Sequence, residues 1–431
     1  MRILLVSPRW AGHGNRKKIK VREDEVHPLA LGIIAALSEG HDVRIVNEHT
    51  HQVPYRDGWD LVGITSTTFT APRAYEIARE FRTRGIPVVM GGVHPTLMPD
   101  ECLDHCDTVV RGEAENVWRD VLRDAAENTL RPVYEGGVAS DLSLVPTPRR
   151  DLFRAPRQAA AYVQATRGCG WTCEFCYLQY TGWGEHRKRP VERVVGEIRG
   201  IGQRIILFVD DNLFVDRDYA LALLREVTPL RRFWWAQAPI TVCFDEELLE
   251  ACARSGCFAL SVGFQTVSGP SIEEARVAQN RVERYGEAAR NLHRHRILVD
   301  GTFIFGFDGD PPTIFDDTVA AVRDMDLDSY TFYMLTPYPG TPYFERLARA
   351  GRIVDQDWAH YDWDHAVLQP GSMSADELAR GVARVYDALD TSWLRWAMRG
   401  LLRNRWALAR SPRLAAFLVR QNAPQRYGIT Y

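Results

Sequence analysis

The sequence predicts an α/β protein with two parallel-sheet units and a helical C-terminal region. Two observations carry this. Along residues 1 to about 340, short continuous apolar runs alternate with helical stretches, the pattern of parallel sheets covered on both faces. Nearly every apolar run ends in small or polar residues, which is where such sheets meet their ligands. The first unit reads as a doubly wound, Rossmann-like sheet. The second reads as a partial (β/α)6 barrel of the TIM type.

In the first unit, Ile3 to Ser7 is a buried strand ending in Ser7-Pro8-Arg9-Trp10, and Pro28 to Leu37 is an apolar helix. Strands follow at Asp42–Asn47 and Leu61–Thr65, the second opening into Ser66-Thr67-Thr68-Phe69 and a helix from about Pro72 to Arg84. Val88–Met90 opens into Gly91-Gly92-Val93-His94-Pro95. Thr108–Arg111 opens into Gly112-Glu113-Ala114-Glu115 and a helix to about Ala126. Gly136-Gly137, Pro146, Pro148 and Pro156 punctuate residues 136 to about 158, which read as a linker.

In the second unit, a strand at Tyr162–Ala165 runs into a cysteine loop. Five more strands follow, at Ile205–Val209, Phe233–Pro239, Ala259–Gly263, Val299–Phe305 and Ser329–Thr336. Helices at about Val191–Ile201, Tyr219–Val227, Asp245–Ser255, Val282–His295 and Asp316–Asp324 separate the strands. Active sites of such barrels sit at the carboxyl ends of the strands, where the cysteine loop lies. Beyond it, Tyr343–Ala350 is a helix, and Asp357-Trp358 with Tyr361 make an aromatic-rich loop. Ser374 with Glu377 forms a capping box for a helix to about Leu389.

Composition narrows the function. Hydrophobic content of 45% and charged content of 25% are those of a soluble globular protein, and 431 residues allow two or three domains. A net charge of −3 argues against a nucleic-acid binder. The longest apolar run, around Leu29 to Leu37, is too short to cross a bilayer, and the start at Met1 reads as a strand rather than a signal peptide. A cytoplasmic enzyme with reduced thiols is the expectation.

Chemistry centres on Thr166-Arg167-Gly168-Cys169-Gly170-Trp171-Thr172-Cys173-Glu174-Phe175-Cys176-Tyr177, a C-x3-C-x2-C array. Thiolates are the usual ligands of iron–sulfur clusters, and three of them on a four-iron cluster leave one iron open. The alternative is structural zinc, which takes four ligands, often as two separated pairs. The other cysteines, at 102, 106, 243, 252 and 257, make no second C-x2-C pair. No convincing His–Asp or Lys–Tyr acid/base pair competes with the cysteine loop.

The cysteine spacing and the Phe175-Cys176 pair resemble the signature of the radical S-adenosylmethionine (radical SAM) enzymes. The resemblance extends over Arg187-Lys188-Arg189-Pro190-Val191-Glu192-Arg193, Asp210-Asp211-Asn212, Gly301 to Asp308 and Leu335 to Pro342. The first unit is similar to the cobalamin-binding domain found ahead of many radical SAM domains. That similarity rests on Asp60 to Ser66, Val89 to Pro95 and Val109 to Glu113. It implies domains at 1–140 (cobalamin-binding), 141–160 (linker), 161–342 (radical SAM partial barrel) and 343–431 (helical cap with a basic tail).

The resemblance implies site residues. Cys169, Cys173 and Cys176 would hold a [4Fe–4S] cluster. Phe175, Asp211, Asn212, Gln265, Ile304, Gly306 and Tyr338 would line S-adenosylmethionine. Ser66, Thr67, Gly91, Gly92, Gly112 and Glu113 would line cobalamin. A vestigial first domain used only for docking is the competing reading. Three departures stand out. Gln265 occupies a position where relatives usually carry Glu, Ala278 one where they often carry Lys, and no D-x-H-x-x-G segment supplies a cobalt ligand. His13 lies in about the right loop but lacks the Asp, with Arg16 in place of the Gly.

The implied activity is reductive cleavage of S-adenosylmethionine to a 5′-deoxyadenosyl radical, and cobalamin-dependent methylation of an unactivated carbon. Such a carbon cannot take a methyl cation directly, so the cofactors carry the hard step. Alternatives are a radical SAM cyclase, mutase or dehydrogenase, or a non-catalytic metal-binding interaction module. The implied partners are an electron donor such as a flavodoxin or ferredoxin and a small-molecule or lipid substrate, with no nucleic acid. From Trp393 to Tyr431 there are eight Arg and no Asp or Glu, interleaved with Trp396, Trp406 and Phe417. A helix docked on an acidic body is the preferred reading of this tail, with peripheral membrane contact the other.

Overall fold

The computed structural model describes residues 1–10, 28–153 and 160–389. The loop with His13 and Arg16, Pro156, and the basic stretch from Trp393 to Tyr431 lie outside the described residues. No helix among the described residues is long and apolar enough to cross a membrane.

The first unit runs β1 (Arg2–Ser7), α1 (Leu29–Leu37), β2 (Asp42–Asn47), β3 (Leu61–Thr65), α2 (Ala71–Arg82), β4 (Val88–Gly91), α3 (Val93–Leu97), α4 (Pro99–Leu103), β5 (Thr108–Gly112), α5 (Trp118–Ala126) and β6 (Val133–Gly137). The six strands are parallel, in the order β2-β1-β3-β4-β5-β6. Successive side chains of a strand face opposite ways. Leu4 and Val6 therefore pack into one core with Ala74, Ile77 and Phe81 of α2. Ile3 and Leu5 pack into another with Leu31 and Ile34 of α1 and Val121 of α5. Burial on both faces is why the strands read as unbroken apolar runs.

The second unit runs β7 (Ala160–Val163), a small antiparallel hairpin of β8 (Thr166–Arg167) and β9 (Arg187–Lys188), α6 (Val191–Gly200), β10 (Ile205–Phe208), α7 (Arg217–Val227), β11 (Phe233–Ala238), α8 (Glu246–Ser255), β12 (Cys257–Gln265), α9 (Gly269–Glu274), α10 (Tyr285–Arg294), β13 (Leu298–Phe305), α11 (Ile314–Met325) and β14 (Ser329–Met334). The parallel order β14-β13-β12-β11-β10-β7 leaves β7 and β14 unpaired with each other, so the barrel is open on one side. One face of every strand packs beneath the helices, as Val163, Phe208, Trp234, Leu260 and Phe303 do. On the other face, Ala160, Ile205, Phe233, Trp235 and Leu298 form an apolar floor at the amino ends. Two further helices follow, α12 (Pro342–Arg349) and α13 (Ala375–Leu389). The capping box of α13 is present: Ser374 Oγ accepts from Glu377 N at 3.2 Å and its own N–H donates to Glu377 Oε2 at 2.8 Å.

Gly136 and Gly137, expected in a linker, belong to a sixth strand. A Cβ on Gly112, whose φ is +88°, would overlap the Gly137 carbonyl, and one on Gly136 would overlap that of Glu113. The glycines let β6 close against the end of β5. The helix expected from Gly112 onward begins only at Trp118, after a 3-10 turn over Ala114–Asn116.

The two units are joined by a buried ion-pair cluster. Arg187 of β9 grips Glu113 with both arms, Nη1 to Oε2 at 2.8 Å and Nη2 to Oε1 at 2.9 Å. Ala139 N donates to Oε2 at 2.5 Å, and Arg167 Nη1 lies 3.3 Å from Oε1. Arg167 also binds Glu115 at 2.5 Å. A carboxylate accepts about four hydrogen bonds, so that of Glu113 is saturated. Burial opposes its charge, yet the Arg187 hydrogen bonds and the Arg167 charge outweigh burial and hold its pKa below the usual carboxylate range. The pKa is lowered on folding, so the cluster's contribution is complete above the ordinary Glu range and is lost as pH falls through the depressed folded value. A second seam lies across the molecule. Trp358 Nε1 donates to Glu101 at 2.9 Å, and Gly340, with φ +73°, packs on the Leu97 carbonyl.

Removing one partner of a buried pair strands the other. Arg187→Ala is expected to cost about 3–5 kcal/mol, read as a lower midpoint in urea unfolding. The double variant Arg187→Met, Glu113→Met is expected to recover most of that loss, because no charge is left unpaired. A single variant as stable as the wild type would contradict the assignment.

Candidate active site

The cysteine loop hangs from the carboxyl end of β7, held by the three consecutive side chains after β10. Asp210 Oδ1 accepts from Ala165 N at 3.0 Å, from Thr166 Oγ1 at 2.7 Å and from Thr166 N. Asp211 Oδ2 accepts from Gly168 N at 3.0 Å. Asn212 Nδ2 donates to the Cys169 carbonyl at 3.4 Å and faces its Sγ at 3.8 Å. Such a run could have been only a helix cap. Instead α7 is capped by Asp216, which accepts from Tyr219 N at 2.9 Å. Asp211 and Asn212, expected beside S-adenosylmethionine, thus also position the loop that carries the thiols. Asp210 does not stand out in the sequence as a site residue. Burial pushes it up to about 7, and its Oδ2 has no partner.

Cys169, Cys173 and Cys176 are free and partly buried. Burial raises all three thiols, Cys173 to about 11 and Cys176 to about 12; the charge of Cys169 adds to the rise of Cys173, and both add to that of Cys176. Metal binding to such thiols releases their protons. Among the described residues no three ligating side chains converge on one point, as the ligands of a single zinc ion would. Gly168 is required here: its φ is +85° and an added Cβ would overlap the Glu185 carbonyl oxygen across the hairpin.

The remaining expected residues border the same mouth. Phe175 packs on Phe307 at 5.8 Å, and Tyr177 on the buried Tyr338 at 4.9 Å. Gln265 ends β12 in a bulge against β13 with φ +66°, a conformation costing of order 1–3 kcal/mol in a non-glycine residue. Asn280 and Tyr285 hold that bulge through the Phe264 carbonyl, at 2.7 Å each. Gly306, with φ +109°, ends β13, and its N–H donates to Asp310 at 2.8 Å.

The carboxyl edge of the first sheet faces this mouth across the ion-pair cluster. Ser66 and Thr67 end β3, where Thr67 and Thr70 make a reciprocal cap. Gly92 has φ +109°, and its missing Cβ lets it approach Ser66 O, which an added Cβ would meet at 2.6 Å. Gly91 is not crowded, since its Cβ would sit 3.7 Å from Val110 O. Gly112 serves β6. The carboxylate of Glu113 is consumed by Arg187, Arg167 and Ala139, so it has no acceptor capacity left for a cofactor. The structure places the Glu113 side chain as a tie between the units. Sequence could not have shown this, because Glu113 and Arg187 are 74 positions apart.

Gly168→Ala is expected to lose most of the iron and sulfide taken up on anaerobic reconstitution while keeping the wild-type circular dichroism. Full iron uptake by this variant would contradict the geometry assigned to the loop.

Comparison with known proteins agrees with this arrangement. Residues 18–122 match the family model for the B12 binding domain, and residues 163–322 that for the radical SAM superfamily. The chain is 32% identical over 365 residues to bacteriochlorophyllide d C-12(1)-methyltransferase of Chlorobaculum tepidum, covering 81% of this chain and 80% of the relative. It is 27% identical to bacteriochlorophyllide d C-8(2)-methyltransferase of the same organism, covering 79% and 80%. Among solved structures, the radical S-adenosylmethionine methyltransferase TsrM of Kitasatospora setae, with cobalamin and a [4Fe–4S] cluster bound, superposes with a TM-score of 0.68. That match has 18% identity over 98% of this chain and 99% of that one, a likeness of fold alone. The chain therefore belongs to the family of cobalamin-dependent radical SAM methyltransferases, whose cofactors are a [4Fe–4S] cluster, S-adenosylmethionine and cobalamin.

Proposed function

We propose that this enzyme methylates an unactivated carbon of a ring-containing small molecule, with Cys169, Cys173 and Cys176 holding the cluster. The observation that carries the reading is the facing of two carboxyl edges. The cysteine loop at β7 and the Ser66, Gly92 edge of the first sheet are locked on either side of one buried Glu113–Arg187 pair. Bound together, the cofactors supply a carbon-centred radical and a methyl donor. The chain's own residues orient and enclose. Three thiols, with no fourth cysteine beside them in the loop, fit a cluster with an open iron. Asp210, Asp211 and Asn212 keep the loop in place. Phe307 and Tyr338 pack on the ring of Phe175 and that of Tyr177 respectively and, with Ile304 and Gly306, wall the region expected for adenine. The first edge fits cobalamin through Ser66, Thr67 and the unhindered Gly91, and the buried Thr68 Oγ1 lacks a partner.

A cytoplasmic setting and reduction by a flavodoxin or ferredoxin belong to the same proposal. The setting is supported by eight free cysteines. The electron route is supported by Trp171 and Val215, 40% and 41% exposed beside the cysteine loop. The ring-containing substrate is supported by the two named bacteriochlorophyllide methyltransferases, to which the chain is 32% and 27% identical.

The test is anaerobic reconstitution with iron, sulfide and cobalamin, followed by cobalt analysis and a 5′-deoxyadenosine assay under dithionite with methyl-labelled S-adenosylmethionine. The expected result is bound cobalt, 5′-deoxyadenosine formation and label entering cobalamin. All cluster absorbance should be lost in the Cys169→Ala, Cys173→Ala, Cys176→Ala variant. Deoxyadenosine formation without cobalt binding would favour a cyclase or dehydrogenase instead. A cluster retained in the triple variant would overturn the ligand assignment.

A further inference from the structure

The concave face of the second sheet carries groups that the cofactor chemistry leaves unused. On β13, Val299, Phe303 and Phe305 pack beneath the helices, so Asp300, Thr302 and Ile304 lie on the opposite face. In register beside them on β14 stand Ser329, Thr331 and Tyr333. Asp300 lies just above the apolar floor. One oxygen accepts from Ser261 Oγ at 2.8 Å and the other from Ser329 Oγ. No cation neutralises it among the described residues. Burial raises its pKa, and the two serines alone oppose that. A carboxylate has about four acceptor sites, so two stay unused on this half-buried face.

An aromatic wall rises from this carboxylate. Burial, then the charge of Asp300, raises the Tyr333 hydroxyl pKa well above its usual value, which places the two groups within electrostatic reach. The Tyr333 ring lies 6.2 Å from that of Trp363, in the loop between α12 and α13. Trp363 is held with φ +64°, and its carbonyl accepts from Met334 N at the end of β14 at 2.8 Å. Its ring meets Phe69 at 5.3 Å, and Phe69 meets Trp10 at 5.4 Å. Phe69 sits in the turn directly after Ser66 and Thr67. The wall therefore runs from the proposed cobalamin edge of the first sheet down to Asp300. Trp363 remains partly exposed despite the strained backbone that sets it there, which is the mark of a contact surface rather than of core.

We propose that Trp363, Tyr333 and Asp300 form the substrate site, and that it takes a planar conjugated ring carrying a hydrogen-bond donor. The inference rests on the methyltransferase reading. Flat π systems stack on aromatic faces, and the unused acceptor sites of Asp300 are satisfied by a donor. A purely aliphatic polycycle would leave those sites unpaired.

The experiment is equilibrium binding of chlorophyllide a, a planar macrocycle whose magnesium carries water as a donor, to the reconstituted holoenzyme. The shift in its absorption is followed, with diploptene as an aliphatic competitor. The wild type is expected to give a saturable shift that diploptene does not displace. Trp363→Leu and Asp300→Asn are each expected to weaken binding about ten-fold, and Trp363→Phe to restore most of it. Thermal midpoint and iron content confirm that the variants are folded. No saturable shift with the wild type, displacement by diploptene, or unchanged affinity in Trp363→Leu and Asp300→Asn would overturn the proposal. Deoxyadenosine formation by the wild type is scored separately, so a failed site is told apart from a failed methyltransferase reading.

Discussion

The carboxylate of Glu113 is the constraint on which the arrangement depends. It leaves the end of β5, on the cofactor edge of the first sheet, and is gripped by an arginine from the hairpin that carries the cysteine loop. Replacing a buried pair by apolar residues is often neutral for stability, so the pair is not needed to hold the units together. What it supplies is geometry. A guanidinium bound through two parallel hydrogen bonds to one carboxylate has essentially one relative orientation. Arg167, two residues before Cys169, joins the same carboxylate, so the alignment passes directly into the loop. The second seam, from Trp358 to Glu101 and from Gly340 to Leu97, removes the remaining freedom to swing about the first.

Local order builds on that frame, and each strand end contributes its own device. Asp210, Asp211 and Asn212 hold a loop, Asp310 gathers the Gly306 turn, and Asn280 with Tyr285 fixes the Gln265 bulge. These groups bind mainly main chain, with Asn212 also facing the Cys169 thiol. At the open edge of the barrel the α12–α13 loop joins the end of β14, where the Trp363 carbonyl accepts from Met334 N. Aromatic contacts to the first sheet can therefore reach the substrate side.

Much of this is legible in the sequence, for physical reasons. Strands buried on both faces read as continuous apolar runs, so β2 and β3 fall on their expected residues and the other expected strands within a few. The cysteine spacing points to the site because ligand chemistry tolerates few residue types. What stays hidden is of another kind. β6 reads as linker because paired glycines usually break structure, whereas here they permit a close approach. The short helices α3 and α4 follow Gly92 and carry too few residues to show a period. Glu113 resembles a cofactor residue because it follows a strand end. Only its distance from Arg187, which no single sequence reveals, shows that its charge is already taken. Asp300 reads as one polar residue inside a strand until the fold brings two serines to it.

The central claim is that the two cofactor-binding edges are held in one fixed orientation. Its most direct test is the distance distribution between cob(II)alamin and the reduced [4Fe–4S] cluster in the reconstituted enzyme, measured by pulsed dipolar electron paramagnetic resonance. One narrow distance is predicted in the wild type, the same with and without S-adenosylmethionine, and a broadened one when Glu113 is replaced by Gln. A broad distribution in the wild type, or a narrow one that Glu113→Gln leaves untouched, would contradict the claim.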